Sequence, residues 1–190
     1  MHKKLEYVKY WADFGTLILD AYQTYCRYEC IIELNDATAT YEDMLLEGTV
    51  RNELITQIYA SVMDTNPRDK NKKSLSLKTL MKDYPLPGVK VDVDSSIYNK
   101  YKDELDALTL VRNKVIAHNA IDQDVELNNK LKEANKHLTP EFFQKLFFSI
   151  FMALDLCLVI RGNNPTFMSL AEKIRASIKN SYNKKNSNKK

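Results

Sequence analysis

Thr139-Pro140-Glu141-Phe142-Phe143-Gln144-Lys145-Leu146-Phe147-Phe148-Ser149-Ile150-Phe151-Met152-Ala153-Leu154-Asp155-Leu156-Cys157-Leu158 decides the class of this fold. A hydroxyl that can cap, a proline at the first helical position and an acid in the first turn mark a helix start. Behind them Phe143, Leu146, Phe147, Ile150, Leu154, Cys157 and Leu158 recur at helical spacing as a broad apolar stripe. The pattern predicts a helix over 140–161, stopped by Gly162-Asn163-Asn164-Pro165 and serving as the spine of a core. Gln144, Lys145 and Asp155 interrupt its apolar run, which is too short to cross a bilayer, so a core helix is expected and no membrane partner.

The rest of the chain fits an all-α class. Only four Gly and five Pro occur in 190 residues, too little turn chemistry for a barrel or sandwich of short strands. With 44% hydrophobic and 28% charged residues, one soluble domain with one sizeable core is the default. Leu5 to about Leu34 reads as a long unbroken first helix. Asn35-Asp36-Ala37-Thr38 reads as a loop, and Tyr41 to Met63 as one helix, or two joined near Gly48 with Thr49 as a cap. Residues 64–73 contain no apolar side chain and read as an exposed loop. Ser74 or Ser76 then caps a short helix to about Lys82, which Tyr84-Pro85-Leu86-Pro87-Gly88 terminates; Val89 to Val93 is an extended connector.

Asp94-Ser95-Ser96 opens a helix expected to run from Ile97 through Leu105, Leu108, Val111 and Val115 to His118, with Asn119 as its C-cap. A short helix carries Leu127 and Leu131 and fades at His137, and a last amphipathic helix spans Thr166 to Lys179. The expected architecture is a bundle of long antiparallel helices forming one domain over 1–180, with a disordered Lys- and Asn-rich tail over 181–190.

Composition restricts function only loosely. The formal net charge is +3, but Lys184, Lys185, Lys189 and Lys190 lie in the last ten residues, and removing those four leaves the remainder at −1. Bulk charge therefore makes no case for nucleic acid, and a motif must carry one. Cys26, Cys30 and Cys157 form neither a disulfide framework nor a zinc pattern and read as reduced core thiols. No cofactor and no metal are expected. The basic start Met1-His2-Lys3-Lys4 leads into no apolar signal region, so the cytoplasm is the expected location.

One segment pairs a proton-transfer group with a phosphate-binding group: Leu110-Val111-Arg112-Asn113-Lys114-Val115-Ile116-Ala117-His118-Asn119, which holds one of three histidines. On an ideal α-helix Arg112 and His118 would point about 120° apart and stand about 9 Å apart along the axis. They converge only if His118 sits at a fraying helix end and a second copy brings its own segment alongside, so a homodimer is expected. Two imidazoles and two guanidiniums across one cleft can cleave an RNA phosphodiester without a metal. One imidazole takes the 2′-hydroxyl proton, a second donor protonates the leaving oxygen, and arginine stabilises the growing phosphate charge.

An arginine, a polar neighbour and a short spacer ending in histidine, on a late helix of an all-helical domain, resemble the HEPN superfamily (Higher Eukaryotes and Prokaryotes Nucleotide-binding). The wording of 112–118 looks most like its AbiU-type abortive-infection branch. Leu54-Ile55 through Val62-Met63-Asp64, followed by a polar loop and Ser74-Leu75-Ser76-Leu77, is similar to the same branch, so the resemblance covers roughly residues 5 to 160. It implies a HEPN-like bundle and a metal-independent endoribonuclease, homodimeric, acting on RNA as a toxin or phage-defence effector and often restrained by an antitoxin protein. Arg112 and His118 become the catalytic pair, and Asn113 the polar neighbour that orients the histidine or the phosphate; Lys114 and Asn119 are candidate substrate contacts. The class alternative is a non-catalytic nucleotide- or protein-binding module.

Plainer readings stand beside these. Arg112 would form an ion pair with Glu104 or Asp106 and His118 would simply end a helix. His2 and His137 are bystanders. Asp64 and Arg68 are solvated loop charges rather than substrate contacts. Tyr7, Tyr10, Tyr22, Tyr25 and Tyr28 suit the core better than base stacking.

Overall fold

Every regular element among the described residues of the computed structural model is helical; these residues are 2–35, 39–63, 76–84, 94–116, 125–158 and 166–187. The α-helices in chain order are α1 (His2–Leu34), α2 (Tyr41–Ile58), α3 (Leu77–Asp83), α4 (Lys102–Val111), α5 (Val125–His137), α6 (Pro140–Leu158) and α7 (Phe167–Ser187). Three wider π-turns, Tyr59–Met63, Asp94–Asn99 and Arg112–Ile116, flank α2 and α4.

The starts of these helices follow local chemistry. Thr40, not Thr49, caps α2: its side chain accepts from the Asp43 amide while the Asp43 carboxylate accepts from the Thr40 amide. Thr49 lies inside α2, its hydroxyl donating to the Leu45 carbonyl at 2.8 Å, so the chain passes straight through Gly48 as one helix. Ser76 caps α3 through the Thr79 amide, and Thr139 caps α6 through the Phe142 amide.

One core unites the elements, with α6 as its spine. Along α6, Phe143, Phe147 and Phe151 meet Tyr28, Tyr25 and Tyr22 of α1 as edge-on and tilted ring pairs. Residue numbers rise on one helix as they fall on the other, so α1 and α6 run antiparallel. Asp155 joins α6 to α7, accepting from the Phe167 amide at 2.6 Å and the Met168 amide at 3.3 Å, with Thr166 adding a bond from the Ser169 amide. The α7 helix then returns parallel to α1, where Arg175 pairs with Glu29 and Lys179 with Glu33. It approaches closely at Gly15, where a Cβ would stand 2.3 Å from Cζ of Phe167. The first tyrosines serve packing too: Tyr7 and Tyr10 close on Tyr84, whose carbonyl accepts from Trp11 Nε1.

Two expectations change at the helix ends. The α7 helix continues to Ser187, past the expected end at Lys179. The expected single helix over 97–118 is, in its described part up to Ile116, a π-turn, the α4 helix and a second π-turn, with Tyr101 at the first junction. No helix among the described residues is long and apolar enough to cross a membrane. The loop and connector expected over 64–73 and 89–93 lie outside the described residues.

Candidate functional site

Arg112 stands where two helices lose their regular pitch. The α2 helix widens at Tyr59–Met63 and α4 widens at Arg112–Ile116; the first π-turn packs on α4 and the second on α2. A π-turn gives up good α-helical geometry and recurs at functional sites, where it redirects side chains. Here the consequence is specific. The Arg112 guanidinium lies 4.6 Å from the centre of the Tyr59 ring, and its Nη1 donates to Asn113 Oδ1 at 3.0 Å.

The two contacts hold the cation over the Tyr59 ring and by one of its nitrogens. Stacking on the ring contributes about 0.5–1 kcal/mol at a partly exposed site, and the Asn113 amide fixes which way the fork turns. Arg112 and Asn113 are half-buried, and Lys114 is exposed. Neither Glu104 nor Asp106 forms an ion pair with Arg112 among the described residues, so the plain reading of Arg112 does not hold there. Of the five N–H donors of a guanidinium, one is engaged by Asn113; the others take no hydrogen bond among the described residues. A cation held by a ring and a neutral amide keeps its charge for an anion.

The structure brings together Arg112, Asn113 and Tyr59. His118 and Asn119 lie outside the described residues, as do the loop residues Asp64 and Arg68. The ideal-helix separation of about 120° does not describe the 112–116 stretch, because a π-turn closes over more residues than an α-turn and rotates less per residue. Tyr59 is the participant that sequence reading missed. Its signal was faint: an aromatic placed just before the Val62-Met63-Asp64 stretch, with nothing local to link it to position 112.

Elsewhere, the described residues contain no group of three or more His, Cys, Asp or Glu arranged to hold a metal ion. Cys26 and Cys30 are buried free thiols, and burial pushes the Cys26 thiol up to about 12, so it stays protonated and unreactive. His137 ends α5 on the exposed surface. No family model, no curated protein and no solved structure matches the chain.

Proposed function

We propose that the chain is a metal-independent endoribonuclease of HEPN type, an effector of toxin–antitoxin or abortive-infection systems. It works as a homodimer, with an antitoxin protein as a further partner. Arg112 clamps the scissile phosphate, Asn113 holds the guanidinium in orientation, and His118 moves the protons. Lys114 and Asn119 touch the neighbouring backbone of the RNA.

The observation that supports this reading best is the state of Arg112: half-buried, stacked on Tyr59, tethered by Asn113, and engaged by no carboxylate among the described residues. An arginine kept for structure is ordinarily neutralised by an acid, as Arg175 is by Glu29 in this same molecule. One kept for a phosphate is instead oriented without being neutralised. In phosphodiester cleavage such a cation stabilises charge that appears only in the transition state, and removing one donor of this kind costs about 10²–10³ in rate.

Purified protein incubated with mixed RNA in EDTA, beside His118→Ala and Arg112→Ala variants, tests the proposal. Cleavage that persists in EDTA and disappears in both variants is expected. No cleavage by any of the three, with RNA still bound, would leave the non-catalytic binding module as the better reading.

A further inference from the structure

Arg112 is not the only cation that an aromatic ring holds beside the Tyr59–Met63 turn. Lys78 Nζ of α3 lies 5.3 Å from the centre of the Tyr98 ring, and the Tyr98 hydroxyl donates to the Val62 carbonyl at 2.7 Å. Both ring platforms are thus fastened to one five-residue turn, Tyr59 as its first residue and Tyr98 through the carbonyl of its fourth. Their attachment points are three residues apart on that turn. The α3 helix packs on this turn, which places Lys78 beside it, and Lys78 is exposed while Tyr98 and Tyr59 are half-buried.

The chemistry of the two pairs is the same. Lys130, Lys136, Lys179 and Arg175 are neutralised by glutamates, whereas Lys78 and Arg112 meet rings and form no ion pair among the described residues. A ring orients a cation without cancelling its charge. Successive cations of this sort along a surface, interleaved with aromatics, are the equipment that grips a flexible single strand through its backbone.

We infer that Lys78, positioned by Tyr98, is a second phosphate contact for the strand that Arg112 holds, so that the Tyr59–Met63 turn forms the floor of a path for single-stranded RNA. This rests on the ribonuclease reading for the nature of the ligand and adds residues that reading does not contain. Lys78 is a binding residue and Tyr98 a positioning residue.

A short single-stranded RNA carrying 2′-O-methyl groups, which block cleavage, serves as the probe, and its binding to the full chain is followed by fluorescence anisotropy across a salt series. Each lost phosphate contact lowers the slope of log affinity against log salt by about 0.7. Lys78→Ala and Arg112→Ala are each expected to lower it by that amount, and the double variant by about twice as much. Tyr98→Phe keeps the ring but loses the bond to Val62, and is expected to weaken binding roughly two- to fivefold without lowering the slope by a full contact. Lys100→Ala is the control, since Lys100 also lies on a ring, 4.9 Å from the centre of Tyr101, but that tyrosine is tied to Lys145 and Ser149 of α6. It is expected to leave the slope unchanged. A slope that Arg112→Ala lowers and Lys78→Ala does not would overturn the inference and leave the ribonuclease reading standing. Equal losses in Lys78→Ala and Lys100→Ala would overturn it in favour of diffuse attraction. No change in any variant would overturn it as well, and the cleavage assay in EDTA then decides the ribonuclease reading separately.

Discussion

The Asp155 carboxylate of α6 accepts hydrogen bonds from the backbone amides of Phe167 and Met168, 12 and 13 residues further along the chain. An acid in the late half of the most apolar helix thus caps the next helix from a distance, satisfying amides that have no acceptor within α7. Asp155→Ala is expected to destabilise the fold by about 1–2 kcal/mol, a fall of roughly 3–6 °C in Tm. Asp155→Asn, which retains one carbonyl acceptor, should lose less. Thermal unfolding followed by circular dichroism distinguishes the two; equal melting of all three proteins would show that the cap contributes nothing.

Gly15 supplies the space in which the Phe167 ring sits. Alanine there gains about 1 kcal/mol in helix propensity but forces a Cβ to 2.3 Å from the ring unless the ring moves. Overpacking of this kind costs about 1–3 kcal/mol, so Gly15→Ala is expected to be destabilising on balance. In a Phe167→Ala background the same change should turn stabilising. A double-mutant cycle by urea unfolding reads the change of sign directly.

Arg175 neutralises Glu29, whose side chain is only 14% exposed, and the Tyr25 hydroxyl donates to the same carboxylate oxygen at 3.1 Å. Removing the arginine strands a carboxylate that is already poorly hydrated. Arg175→Met is expected to cost about 3 kcal/mol, near the low end for a broken buried pair because Arg175 itself remains 32% exposed. The pair Arg175→Met with Glu29→Gln should recover most of that loss in urea titrations, the partner's charge being what the single variant leaves unpaired.

Burial in α1 raises the pKa values of Tyr22, Tyr25, Tyr28, Cys26 and Cys30 above their ordinary ranges. For groups that are neutral when protonated, a raised folded-state pKa means that the folded chain binds protons more tightly than the unfolded one. The stability this represents is fully present below the unfolded-state values and is lost as pH rises through the folded ones. Stability is therefore expected to fall from about pH 8.5, the ordinary thiol value, onward through about pH 12, the raised Cys26 value, measured as the urea midpoint. For Cys26, raised from 9.0 to about 12, Cys26→Ala should make that fall shallower at its lower end.

On the proposed ribonuclease activity, Tyr59→Ala should slow cleavage more than Tyr59→Phe, since phenylalanine keeps a ring under Arg112 and alanine removes it. Arg112→Lys should also fail, with a rate about 10²–10³ lower, because an ammonium neither stacks as a plane nor presents a fork. Single-turnover cleavage rates measure both. Equal rates for Tyr59→Ala and Tyr59→Phe would remove Tyr59 from the site.

The all-helical class was legible in the sequence because stripes such as Phe143-Leu146-Phe147-Ile150 and caps such as Thr139 and Ser76 act locally. So was the burial of Tyr22, Tyr25 and Tyr28 rather than their exposure for stacking. The π-turns were not legible. Over Ile97–Val115 the apolar spacing fits a continuous helix, whereas the π-turns at its two ends pack against α6 and α2, contacts that local spacing does not encode. Arg112 was visible as a candidate, whereas its platform Tyr59 lies 53 residues earlier in the chain and is joined to it only by the fold. Asp155 had the same fate: read in isolation it was merely a charge arguing against a membrane span, and its role as a cap depends on where α7 begins.

The seam between α1 and α7 ties positions 29 and 33 to positions 175 and 179, each pair 146 residues apart. A nascent polypeptide emerging from the ribosome cannot close that seam until position 179 has been synthesised, so Glu29 and Glu33 of α1 must wait for their partners on α7. Such distant closure is slow relative to local helix formation. Joining of the two helices is thereby tied to the translation of α7, and a chain interrupted before it leaves Glu29 and Glu33 without their cations.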